Sequence, residues 1–122
     1  MEKNMEKLAK NIYDWCMKKG LWGDNTIYFH GKAWSSSYEW GGVYGKKIGE
    51  RLYEYEDKNP KDYFEYCNPD TLSMTFEGAL YSALNGYVSG WARLEAQFAK
   101  LFKKYGLYYE MGHAWNLSAY EI

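Results

Sequence analysis

Two histidines, His30 and His113, and two cysteines, Cys16 and Cys67, are the first residues to test for chemistry. A metal centre takes three or four ligands at a recognisable spacing, and here the histidines are far apart and each cysteine stands alone. Neither cysteine sits in a CxxC pair, and two cysteines build no disulfide framework. Cys16 falls on the apolar stripe of a predicted helix, which marks a structural thiol. Serines occur at 35, 36, 37, 73, 82, 89 and 118. None lies in a GxSxG nucleophile elbow, and a Cys67–His113 pair would need a long-range contact. Gly41-Gly42-Val43-Tyr44-Gly45 precedes Lys46 and Lys47. That could cradle a phosphate, but the serine or threonine and the strand-to-helix setting of a phosphate loop are missing. The sequence calls for no enzyme, no metal and no cofactor.

The segment from Glu50 to Asp70 is more distinctive. It holds seven carboxylates (Glu50, Glu54, Glu56, Asp57, Asp62, Glu65, Asp70) against Arg51, Lys58 and Lys61, a net charge of −4. Tyr53, Tyr55, Tyr63, Phe64 and Tyr66 are interleaved among them. Carboxylates spaced along a strand can occupy a site built for phosphates, and so engage a basic protein. Tyrosine adds a large rigid contact area at low entropic cost. The expected partner surface is therefore Tyr53, Glu54, Tyr55, Glu56, Asp57, Asp62, Tyr63, Glu65 and Tyr66. The competing reading is a solvated sheet face with cross-strand tyrosine pairs. A basic counterpart, Arg93, Lys100, Lys103 and Lys104, lies late in a predicted helix and would suit single-stranded nucleic acid. Lysines there also serve as helix-dipole partners.

The elements that must position these residues follow from periodicity. Met5, Leu8, Ile12, Trp15 and Cys16 predict a helix over Asn4 to Lys19, stopped by Gly20. Thr26 to Phe29 and Ala33 to Ser36 predict a hairpin turning at His30-Gly31-Lys32. Trp40 to Gly45 reads as an aromatic-studded loop, Lys47 to Tyr55 as a strand, and Tyr63 to Tyr66 as another. Thr71 to Phe76 alternates, with Leu72, Met74 and Phe76 on one side. Leu80, Leu84, Tyr87, Trp91, Leu94, Phe98, Leu101 and Tyr105 then predict one long helix, Glu77 to Tyr105, running through Asn85-Gly86 and Gly90. A small-residue stripe beside it, Ala79, Ala83, Gly86 and Gly90, fits close packing on the sheet or a homodimer seam. The tail from Leu107 to Ile122 reads as one strand, or two broken at Gly112, with Tyr109, Met111, His113, Trp115 and Leu117 on one face. Trp15, Tyr87, Trp91, Phe98 and Trp115 are expected in the core.

The order predicts an α+β fold. It has an antiparallel sheet of five to six strands, with the N-terminal helix and the long helix on one face. At 122 residues the chain is expected to be a single domain, 1–122. Twenty-five aromatic residues (14 Tyr, 6 Trp, 5 Phe) exceed what so small a core needs. Net charge −1 and two arginines weaken a nucleic-acid reading. The charged N-terminus has no apolar h-region and no run reaches a membrane-spanning length. The expected location is the cytoplasm, with no membrane contact.

The stretch Asn68 to Asn85, NPDTLSMTFEGALYSALN, with Tyr63-Phe64-Glu65-Tyr66 before it, resembles a segment in small uncharacterised proteins of low-GC Gram-positive bacteria and their phages and plasmids. The resemblance implies a mobile-element setting, in which small tyrosine-rich proteins include anti-defence inhibitors of the anti-CRISPR kind. Its implied partner is a host protein or nucleoprotein complex. The sequence reading is thus an interaction module. A single-strand binder and a small-ligand binder or enzyme with an aromatic-lined pocket, near His30, His113 or Cys67, are the alternatives.

Overall fold

The computed structural model describes residues 2–122. Helix α1 spans Glu2–Lys19. Strands β1 (Asn25–Phe29), β2 (Lys32–Ser35), β3 (Glu39–Trp40), β4 (Val43–Tyr44), β5 (Lys46–Gly49) and β6 (Leu52–Tyr55) follow. A 3-10 turn at Pro60–Asp62 precedes β7 (Leu72–Phe76). Helices α2 (Ala79–Leu84) and α3 (Trp91–Lys103) lead to β8 (Leu107–Met111) and β9 (Asn116–Glu121). Seven strands form one sheet in the order β5-β6-β2-β1-β7-β9-β8, and β3 pairs only with β4. Every pairing is antiparallel. The fold is α+β as expected, with more strands than the five to six predicted.

Alternation along the strands separates two layers. Ile27, Phe29, Trp34, Leu52, Leu72, Met74, Phe76, Leu107, Leu117 and Ala119 face the helices and share one core with Met5, Leu8, Ile12, Cys16, Leu80, Phe98 and Phe102. All three helices thus cover the same face. α1 stops where its sequence signals a stop. Gly20 takes φ +72°, Leu21 N–H donates to Cys16 O (2.7 Å) and Gly20 N–H to Met17 O (3.3 Å). These are the two bonds of a Schellman cap.

The same device corrects the predicted long helix. Gly86 takes φ +81° and Tyr87 N–H donates to Ser82 O (2.9 Å), which caps α2 after one and a half turns. Asn85 Nδ2 donates to Tyr81 O and across to Ala114 O, both 2.9 Å, tying the break to the β8–β9 turn. Gly90, at φ +77°, then starts α3. Tyr87 and Trp91 are 73% and 46% exposed, so neither belongs to the core. The small-residue stripe loses its helix: Ala83 is fully buried, and Gly86 sits in the break against the Trp91 ring. A homodimer seam along that stripe has no continuous surface to use.

Three further predictions are corrected. Lys47 to Tyr55 is a hairpin, β5–β6, turning at Glu50-Arg51. Tyr13 Oη donates to Glu50 O (2.6 Å) and Trp22 Nε1 to Arg51 O (2.7 Å), which pin that turn to the helix side. Trp40 to Gly45 is a second hairpin, not a loop. Gly41 and Gly42, at φ +58° and +84°, supply the two left-handed residues of a tight turn. Tyr63 to Tyr66 is not a strand but irregular chain after the 3-10 turn. In the tail, the chain breaks after Met111. Tyr109 and Leu117 keep to the helix side, while Trp115 packs on the other face, beside Phe64.

Candidate functional site: an aromatic second layer

The sheet face turned away from the helices carries the site. Register places Tyr28, Ala33 and Tyr55 in one row across β1, β2 and β6, and Thr26, Ser35 and Tyr53 in the next. Ala33 is small, and the β3–β4 hairpin folds back to lay Trp40 over this row. The Trp40 ring meets Tyr28 at 6.1 Å, Tyr55 at 5.3 Å and Tyr63 at 5.2 Å. Tyr55 Oη donates to Ser37 O (2.7 Å), which ties the start of the hairpin to the sheet, and Gly45 N–H donates to Tyr38 O (2.9 Å), which closes the hairpin's base.

From this centre the rings continue toward the β8–β9 turn. Tyr28 meets Phe64 at 5.7 Å, Phe64 meets Trp115 at 6.0 Å, and Trp115 stacks on His113 at 5.4 Å and 10°. His113 then meets the edge of Tyr66 at 5.5 Å. A second, separate trio lies on the same face in the next row, where Tyr53 meets Tyr38 at 5.3 Å and Tyr38 meets Tyr44 at 4.9 Å. Tyr28, Tyr55 and Phe64 are buried, and Trp40, Tyr53 and Trp115 are half-buried. Tyr38, Tyr44, Tyr63 and Tyr66 are 57%, 65%, 42% and 65% exposed, so the band ends in large open rings on a rigid base. Lys58 Nζ lies 4.3 Å above the Trp40 ring, a cation–π contact. Burial pushes the Tyr28 phenol up to about 12, so it stays neutral.

The nine residues expected at the partner surface divide. Tyr53, Tyr63 and Tyr66 join the band, and Glu56, Asp57, Asp62 and Glu65 are exposed on the segment that crosses it. Tyr55 is on the right face but buried, as support for Trp40. Glu54 is on the wrong face. Strand alternation turns it to the helix side, where it accepts from Trp34 Nε1 (2.9 Å) and pairs with Lys32 Nζ (3.2 Å). Burial opposes its ionisation, but those hydrogen bonds, with the charges of Lys32 and Lys46, outweigh it and hold the carboxyl below its ordinary value of 4.5. A depressed folded value stabilises above the ordinary pKa and is lost as pH falls through the folded one. Glu54→Gln is therefore expected to flatten the acid side of the stability–pH curve, read by urea melts below pH 4.5.

The band also includes residues outside the Glu50–Asp70 segment: Tyr28, Tyr38, Trp40, Tyr44, His113 and Trp115. The signal for the first group was present in Trp40-Gly41-Gly42-Val43, since paired glycines flanked by strand formers mark a hairpin. His113 and Trp115 carry no such mark.

Other chemistry is less well placed. Arg93, Lys100, Lys103 and Lys104 are on or just after α3, so the sheet separates that helix from the band. Among the described residues no three His, Cys, Asp or Glu side chains converge. Cys67 Sγ donates to Phe64 O (3.8 Å), and burial pushes its thiol pKa up. A shallow groove of about 360 Å³ lies by Tyr66, Glu110, Gly112 and Tyr120. A larger cleft, about 410 Å³, lies on the opposite side between α1 and β5–β6, away from His30, His113 and Cys67, floored by Tyr13, Trp34 and Leu52. No described helix is long and apolar enough to cross a membrane. Comparison with protein-family models, with curated proteins and with solved structures gives no match.

Proposed function

We propose that this chain is a small interaction module that docks on a basic surface of a nucleic-acid-handling protein through the aromatic band. The observation that carries this reading is the band itself: two groups of packed rings on one sheet face, open at Tyr38, Tyr44, Tyr63 and Tyr66. Rigid aromatic anchors ringed by polar groups are the usual source of binding energy in protein interfaces. The segment crossing the band supplies the charge. Its exposed carboxylates are Glu56, Asp57, Asp62, Glu65 and Asp70, against Lys58 and Lys61. An acidic rim around anchors favours a basic partner and speeds encounter with it. With the mobile-element setting implied by Asn68 to Asn85, the role is that of an anti-defence inhibitor, of the anti-CRISPR kind, acting in the cytoplasm by occupying its target. Direct binding of single strands is disfavoured, because the cationic helix and the band lie on opposite faces.

Affinity capture from the host, with nuclease-treated lysate, tests this. The combined variant Tyr38→Ala, Tyr44→Ala, Tyr63→Ala is expected to lose the captured partner while keeping the wild-type melting temperature within a few degrees. Lysine at Glu56, Asp57 and Asp62 is expected to weaken capture about tenfold or more, since like charges across an interface cost several kcal/mol. Unchanged capture by both variants would place the surface elsewhere.

A further inference from the structure

The two edges of the sheet are built differently. β5 carries Lys46 and Lys47 and shifts register between Lys47 and Gly49. Charge and irregularity are devices that keep an edge from pairing with another chain. β8 has neither. Leu107-Tyr108-Tyr109-Glu110-Met111 pairs with β9 in unbroken register and contains no lysine, proline or bulge.

The outer groups of β8 can be assigned. Ile122 N–H donates to Gly106 O and Gly112 N–H to Asn116 O, both 3.1 Å. Bonded and non-bonded pairs alternate in an antiparallel ladder. Positions 106, 108, 110 and 112 therefore bond to β9, and Leu107, Tyr109 and Met111 turn their N–H and C=O groups to the free edge. We propose that a second copy of this chain adds to that edge, β8 against β8, antiparallel about Tyr109.

Register follows from counting and charge. Pairing Tyr109 with Tyr109 and Leu107 with Met111 uses all three outward residues of each copy. A shift by two residues leaves one unpaired on each side, and in one direction sets Glu110 opposite Glu110. In the centred register, Tyr108 faces Glu110 of the second copy on the outer face, and Leu107, Tyr109 and Met111 continue the apolar side under the helices. Five residues bury less than the roughly 800 Å² per partner of a stable interface, so the dimer is a weak one that grows with concentration. It joins two aromatic bands on one continuous face, giving the module two docking surfaces.

The test is sedimentation over a wide concentration range, with amide exchange by NMR. Self-association is expected, and the amides of Leu107, Tyr109 and Met111 should gain protection with concentration, while Tyr108 and Glu110 are protected throughout. Tyr108→Glu, at an exposed position, sets two carboxylates against each other and should weaken association about tenfold or more. Adding Glu110→Lys should restore it. A chain that stays monomeric at every concentration overturns the proposal. So does association that survives Tyr108→Glu but is lost in Trp91→Ser, which would locate the contact at the exposed α2–α3 connection.

Discussion

Tyr28→Ala is expected to be among the most costly substitutions in this chain, at about 3–5 kcal/mol. The ring is buried at 3% exposure and touches Trp40, Tyr63 and Phe64. It joins the β3–β4 hairpin to the segment after the 3-10 turn, two pieces that share no strand pairing. Its loss leaves a cavity between them, and both lose their floor. Against a total stability of about 5–15 kcal/mol for a domain, this is a large fraction. Tyr28→Phe keeps the ring and removes only the hydroxyl, so it should cost no more than about 1 kcal/mol. Denaturant melts of the pair separate the packing of the ring from the hydroxyl. Amide exchange should show residues 38–45 and 60–67 opening in the alanine variant while β7 and β9 stay protected. An alanine variant within 1 kcal/mol or so of wild type would mean that the second layer carries little of the packing assigned to it.

Gly45→Ala is the second. A β-carbon there would sit 2.7 Å from Tyr53 Cβ and 2.7 Å from Tyr55 Cζ. Neither neighbour can yield easily, because Tyr53 Cβ is fixed by its strand and the Tyr55 ring is tied through its hydroxyl to Ser37 O. Overpacking of this kind costs about 1–3 kcal/mol. The strain falls on the link between the hairpin and β5, so the hairpin should lift from the sheet while the helix-side core stays closed. Near-ultraviolet circular dichroism should change with little change in helix content, and partner capture should fall with it. Gly42→Ala is the control. Nothing lies within 4 Å of its β-carbon, so its cost is only that of a left-handed alanine, about 1 kcal/mol. Equal effects of the two would assign the Gly45 result to backbone freedom and not to crowding.

Part of the fold was legible because one local rule acted alone. The stripe in α1 and the alternation of Leu72, Met74 and Phe76 each have one consistent reading, and all but the half-buried Trp15 among those side chains are buried. The long helix failed because two rules competed. The four-three spacing of apolar residues is kept across Asn85-Gly86, yet a glycine able to adopt φ +81° after one polar amide is a cap signal of the same form as Lys19-Gly20. Periodicity there was coincidence, since Tyr87 and Trp91 point to solvent. The acidic-tyrosine segment was legible as a surface, but not face by face. Reading Lys47 to Tyr55 as one strand hid the Glu50-Arg51 turn, and alternation then turned Glu54 to the helix side beside Trp34 and Lys32.

By itself the sequence determined the class of fold, the helix-side core and the presence of an aromatic surplus, because these follow from composition and from contacts between residues close in the chain. Only the tertiary structure decided where the surplus goes. Trp40, Tyr28, Tyr63, Phe64, Trp115 and His113 come from four separate stretches of chain, and no local preference brings them together. They meet because the helices cover one face of the sheet and leave the other needing a cover. The chain has only irregular segments and a short hairpin left to provide it. Rings are the side chains large enough to close that face, and the outermost of them, Tyr38, Tyr44, Tyr63 and Tyr66, remain exposed.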